Sequence, residues 1–331
     1  MERDDDVPAP TLFDYTDHTP YSDPGRHASY LAELPTSPES LHQFACGTIV
    51  HYRADGAELT PEQRNDPDLR RISAILDTAE KRAPLDGPRA VEQKVAGCCR
   101  DHSLLTVSVL RTQGIPARTR IGFAGYFDEG RWSDHVVVER YDDGRWVRSD
   151  PELAQADFDF DVHDMPIGPE SPFLTAAETW LALRSGQLAE DTVNVPPAGA
   201  AGVVLTPRDF ARDYVLLEVA HRHRDELLLW DLWGPMLSLL DLQEQARTLL
   251  AGDPLERFAE AGIRGADMPP HEYDAVADEL AHLLLAADAG DAEAADQLAE
   301  IYRADVRLHP GNRVVTGSPT GFTGLTDLAA R

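Results

Sequence analysis

From Gly97 to Pro116 the chain holds a helix with hardly any polar face: Leu104, Leu105, Val107, Val109 and Leu110 place apolar side chains nearly all round its axis. Such a helix is buried rather than laid on a surface. Gln113-Gly114-Ile115-Pro116 stops it, with glycine just past the end and proline soon after. Strand-like runs follow at residues 117–127, 133–141 and 145–149. They are separated by Asp128-Glu129-Gly130 and Asp142-Asp143-Gly144, both hairpin-turn signals. A buried helix followed by an antiparallel sheet, with helical patterns on either side, predicts an α+β fold.

Upstream, residues 1–24 are rich in Asp, Pro and Thr without a period and read as an extended or disordered lead-in. Ser37-Pro38-Glu39 is a helix start leading into Leu41, Phe44, Ala45 and Ile49. Leu69, Ile72, Ile75, Leu76 and Ala79 have the spacing of another amphipathic helix. Downstream, residues 174–188, 210–250 and 273–302 read as helical, residues 196–202 as a linker, and the Gly-, Thr- and Ser-rich tail from Pro310 as loosely ordered. The expected organisation is a lead-in at 1–24, an α+β unit with N-terminal helices at 25–165, a helical region at 166–310 and a tail at 311–331.

The formal charge of −28 argues against a nucleic-acid or anionic-membrane surface, since both need basic patches. Three cysteines, Cys46, Cys98 and Cys99, with no CxxC, do not make a disulfide framework and point to a reducing compartment. The acidic start Met1-Glu2-Arg3-Asp4-Asp5-Asp6 is unlike a signal peptide, and no apolar run reaches the ~18–20 residues of a membrane helix. The expectation is a cytoplasmic protein.

The chemistry concentrates around the buried helix. A thiol at a helix start can lose its proton more easily, and an imidazolium beside it helps further. Cys99 stands at that start, just after Gly97. A base and its orienter come from the hairpin. If the loop is Asp142-Asp143, His135 lies directly opposite Asp150. If it is Asp143-Gly144, or has four residues, the two are diagonal neighbours on the same face. Either way a carboxylate reaches the imidazole, fixes its tautomer and leaves the other nitrogen for the thiol.

These residues resemble a known family. Gly97-Cys98-Cys99-Arg100-Asp101, Leu110-Arg111, Gly114-Ile115-Pro116-Ala117-Arg118 and Gly125-Tyr126 are similar to the core of the transglutaminase-like superfamily. Asp134-His135, Glu139, Gly144-Arg145-Trp146 and Asp150-Pro151 continue the series in order, so the resemblance covers roughly residues 90–155. It implies a papain-like arrangement of Cys99 as nucleophile, His135 as base and Asp150 as orienter. Tyr21-Ser22-Asp23-Pro24, residues 180–186 and Leu229-Trp230-Asp231-Leu232-Trp233-Gly234 are similar to a bacterial subgroup of that superfamily. Val137 departs from the pattern, because many relatives carry an aromatic residue two positions after the histidine. No acidic loop has calcium-ligand spacing.

Competing readings attach to several residues. One step along a helix turns a side chain by ~100°, so Cys98 and Cys99 cannot both face His135, and the family spacing favours Cys99. His102 three residues on would permit a zinc site with Cys98 or Cys99 and His135, but no second cysteine pair supports it. Arg100 and Asp101 fit a salt bridge as well as a site wall. Gln93 stands before Cys99 where papain-like enzymes place an oxyanion-hole glutamine, a resemblance that makes it a candidate donor. His221, His223 and Asp225 read as a solvated helix face, and Trp230 and Trp233 as core.

The function expected is acyl transfer through a thioester on Cys99. The substrate would be a peptide, an amide or an acyl thioester, with water or an amine as acceptor and without a cofactor or metal. The alternative is an interaction module that keeps the fold without the catalysis.

Overall fold

The computed structural model describes residues 11–53, 58–195, 205–238, 253–320 and 323–329. It is an α+β fold. A short turn of helix α1 (Ala28–Leu31) and α2 (Pro38–Thr48) lead into strand β1 (Ile49–His51), and α3 (Ile72–Arg82) precedes β2 (Val95–Gly97). The buried helix is α4 (Cys99–Thr112), and the sheet strands β3 (Ala117–Ala124), β4 (Trp132–Asp142) and β5 (Arg145–Ser149) follow it directly. Strand β6 (Phe173–Thr175) pairs with β3, giving the order β5-β4-β3-β6, and β7 (Val193–Asn194) joins β4 in parallel.

Alternation along β3 and β4 separates two packing faces. Ile121, Phe123, Val136 and Val138 share one apolar cluster with Leu104, Leu105, Val107, Val109 and Leu110 of α4. Val137 and Ala124 turn the other way, onto Phe173 and Met165. Gly122 is required where β6 crosses β3, since a Cβ there would lie 2.1 Å from the Leu174 carbonyl oxygen. Helix α4 ends as its sequence predicts, with Gly114 at φ +72° and the Ile115 N–H reaching back to the Leu110 carbonyl.

The β4–β5 hairpin turns on Asp143 and Gly144, both at positive φ, so Asp142 pairs with Arg145 and Val138 with Ser149. Of the registers the sequence allows, this is the one that makes His135 and Asp150 diagonal neighbours. Farther along the same hairpin a buried ion cluster joins the strands. Glu139 accepts hydrogen bonds from Arg118 at 2.8 Å and from Arg148 at 2.9 Å. Burial alone would raise the Glu139 pKa, but Arg118, Arg120 and Arg148 overcome it and hold the carboxyl well below its ordinary range. The stability it contributes is therefore present above the unfolded carboxylate's pKa and lost as pH falls through the depressed folded value. Glu139→Gln should cost ~3–5 kcal/mol in urea unfolding at pH 7, because it leaves buried guanidinium groups without their counter-charge.

The C-terminal half is mainly helical: α5 (Ala176–Ser185), α6 (Pro207–Arg222), α7 (Pro254–Glu260), α8 (Pro270–Asp288) and α9 (Ala292–Ala304). The stretch expected as one helix at 273–302 is two, because Gly290 at φ +94° breaks it and Asp291 caps the second through the Glu293 and Ala294 amides. The 196–202 linker and the 239–250 end of the stretch expected as helical at 210–250 fall outside the described residues; within the rest of that stretch the α-helix stops at Arg222 and Asp231–Leu232 is strand.

Three expectations need correction. The lead-in is ordered from Thr11 on: Tyr15, Thr19, Tyr21 and Ser22 are buried, and Thr19 donates to Glu226 at 2.6 Å. Residues 1–10 lie outside the described part. The loosely ordered tail contains β9 (Arg313–Gly317) paired with β10 (Thr323–Asp327) and with β8 (Asp231–Leu232). His221, expected on a solvated face, is buried and bonds the Thr119 hydroxyl at 2.8 Å, while Asp225 accepts from the Tyr302 hydroxyl at 2.7 Å. Trp233 is core as expected, its indole N–H donating to the Leu308 carbonyl. Among the described residues no helix is long and apolar enough to cross a membrane.

Candidate active site

Gly97 brings β2 against the start of α4 so closely that a Cβ there would meet Asp101 Oδ2 at 2.8 Å. Asp101 Oδ2 accepts the Cys98 N–H at 2.9 Å, which fixes the first turn of the helix. Arg100 pairs with Asp101 at 2.9 Å and donates to the carbonyls of Arg70 and Glu226, so of the two readings for these residues the structural ion pair is observed. Cys98 precedes the helix and Cys99 is its first residue, exposed over only 4% of its surface.

Asp150 sits one step past β5, and its Oδ2 lies 2.6 Å from His135 Nε2. The same oxygen accepts the Tyr126 hydroxyl at 2.7 Å, and Oδ1 accepts the Glu152 N–H at 2.9 Å. Burial raises the carboxyl's pKa, but His135 and these hydrogen bonds outweigh it, and the net shift is downward. An ionised carboxylate only accepts, so Nε2 carries the ring proton and Nδ1 is the free nitrogen. Burial by itself would lower the imidazole pKa; Asp150, Glu152 and Asp134 together raise it.

The thiol behaves differently from the sequence expectation. The Cys99 pKa is pushed well up by the neighbouring Cys98 thiol, by burial, and by the nearby charges of Glu152 and Asp134. Among the described residues His135 hydrogen-bonds Asp150, and no hydrogen bond joins it to Cys99. Thiol and ring share Glu152 and Asp134 as electrostatic neighbours, and Tyr126 is coupled to both Cys99 and Asp150.

Residues that sequence reasoning passed over complete the surroundings. Glu152, in the turn just after Asp150, adds negative charge beside His135, and among the described residues its buried Oε2 has no hydrogen-bond partner. The aromatic neighbours that Val137 does not provide come from the loop after β3. Phe127 meets the His135 ring edge to face at 5.0 Å and is 45% exposed, and Tyr126 meets it at 5.9 Å. Gln93 is turned to a local task, its side-chain oxygen accepting the Ala90 N–H at 3.0 Å. Among the described residues no group of His, Cys, Asp and Glu has metal-holding geometry.

Residues 63–151 match the family model of the transglutaminase-like superfamily. This segment, which includes Cys99, His135 and Asp150, is similar to a transglutaminase-like core. A solved structure named as a "Putative Cysteine Protease from Cytophaga hutchinsonii" is similar at 15% identity with a TM-score of 0.29. The alignment covers 43% of this chain and 42% of that one, so this chain spans less than half of it. No curated protein matches the sequence.

Proposed function

We propose that this chain is a cysteine-dependent enzyme that passes an acyl group through a thioester on Cys99. It would act on an amide or thioester, as a hydrolase or as an amide-forming acyltransferase. The observation that carries this reading is the 2.6 Å bond from His135 Nε2 to Asp150, which leaves Nδ1 basic within the same charged surroundings as a helix-start thiol.

His135 Nδ1 takes the thiol proton as sulfur bonds to the carbonyl carbon. The amides of Cys99 and Arg100 have no acceptor within the helix and can receive the developing oxyanion. Collapse breaks the bond to the amine or thiol, which leaves with the proton from His135. Water or an amine then attacks the thioester, giving its proton to His135, and Cys99 departs as a thiol. Glu152 Oε2 offers an acceptor for an incoming N–H, and exposed Phe127 an apolar contact for the acyl chain.

The test is to mix the protein with a short acyl thioester of N-acetylcysteamine, quench in acid, and map peptides by mass. An acyl adduct on peptide 95–100 that is chased by water, or faster by added primary amine, supports the reading and separates hydrolysis from transfer. The 4% exposure of Cys99 equally suits a non-catalytic interaction module. Absence of any adduct at this peptide across pH 6–9 would decide for that alternative.

A further inference from the structure

A second thiol stands against the back of this site. Cys46, on α2, is partly exposed, and its sulfur lies 3.6 Å from the Pro151 carbonyl oxygen and 3.7 Å from that of Glu152. These are the two residues that follow Asp150. His42, one helical turn earlier, sits 3.6 Å from the sulfur through Nδ1, and the same nitrogen donates to the Pro151 carbonyl at 3.0 Å. A carbonyl only accepts, so Nδ1 carries a proton and directs it at the Pro151 oxygen, beside the sulfur.

His102 of α4 is buried, its Nδ1 donating to the Cys98 carbonyl at 3.0 Å, and its charge acts on the Cys46 thiol. The Lys94 ammonium is bound to the Cys46 carbonyl at 2.7 Å. One imidazole, His42, thus meets the sulfur directly, and a second, His102, influences it electrostatically, with Glu152 supplying negative charge to His102.

We propose that Cys46 is a reactive thiol that takes up a low-molecular-weight disulfide, and that the resulting mixed disulfide disables the adjoining Cys99 site. The first clause stands alone; the second rests on the acyl-transfer reading above. In the exchange the Cys46 thiolate attacks one sulfur of the disulfide, a new S–S bond forms as the old one breaks, and the departing thiolate takes a proton from His42 or His102. Burial would raise the Cys46 pKa, yet the neighbouring His102 and His42 imidazoles bring it down to about 7. A bulky group on this sulfur cannot keep its place against the Pro151 and Glu152 carbonyls. The turn that aims Asp150 at His135 must then move.

The experiment treats the reduced full chain with glutathione disulfide at pH 7, quenches in acid and maps peptides 27–53 and 95–100. The adduct should appear on 27–53 at least about tenfold faster than on 95–100, and His42→Ala should slow it about tenfold. Cys99→Ala should leave it unchanged. Modified wild type should lose acylation of peptide 95–100 by the N-acetylcysteamine thioester and regain it with dithiothreitol, whereas Cys46→Ser treated identically keeps it throughout. An adduct first on 95–100, or no preference between peptides, overturns the reactive thiol. An adduct on Cys46 with undiminished acylation overturns the inhibition. If untreated protein is never acylated, the acyl-transfer reading has failed, while the disulfide mapping still judges Cys46.

Discussion

Cys99→Ala is expected to lower turnover of an acyl thioester by roughly 10³-fold or more, with the fold retained. The side chain is small and almost fully buried, so alanine removes little beyond the sulfur. Cys98→Ala provides the contrast. Its thiol is the largest single influence raising the Cys99 pKa. Removing it should let Cys99 ionise more readily and be alkylated by iodoacetamide faster at a given pH. Stopped-time labelling with peptide mapping reads both variants. Loss of activity in Cys98→Ala, with Cys99→Ala still active, would move the nucleophile by one residue.

The second large effect falls on Asp150. Asp150→Asn should reduce the plateau rate by roughly 10²–10⁴-fold, because an amide can present its NH₂ to His135 Nε2 and so put the ring proton on the wrong nitrogen. The sign of the pH effect follows from two opposed influences. Burial pushes the His135 pKa down, and the Asp150 carboxylate is the chief influence raising it. With the carboxylate gone burial prevails, so the acid limb of the rate profile should move to lower pH while the plateau falls. A rate–pH profile from pH 5 to 9 reports both, and a limb that moves upward would rule out the proposed pairing.

Much of this architecture can be derived from local pattern. Asp142-Asp143-Gly144 predicts a hairpin, and every even-length loop leaves His135 and Asp150 on one face, whichever register forms. The glycines at 97 and 114 bracket α4 for reasons visible in the sequence. What cannot be derived locally arises between distant residues. Cys46 and His42 show helical i, i+4 spacing, but nothing near them announces that α2 lies against the turn at 151–152. The lead-in lacks periodicity because its contribution is made by hydroxyls: Thr19 and Ser22 complete a buried pair, Arg111 with Glu226, formed by residues far along the chain. His221 looked solvated because its neighbours in sequence are polar, while its partners in space are Thr119 and the Leu227 carbonyl.

That buried pair bears on how the molecule comes apart. Arg111 lies at the far end of α4 and holds Glu226 at 2.8 Å, Ser22 at 3.0 Å and the Ala117 carbonyl at 3.0 Å. One guanidinium therefore fastens the N-terminal segment, the first sheet strand and the turn after α6 to the helix that begins with Cys99. A second knot, Arg70 with Asp231 and Thr316, binds the late strands to the early half in the same way. Detaching the turn after α6 or the late strands would strand a buried charge, and detaching the N-terminal segment or the strand would strip that charge pair of hydrogen bonds, so each has a costly route to local opening. In this chain the family core behaves as a keystone rather than as a cassette: the pieces around it hold it shut, and they are expected to be lost or kept together.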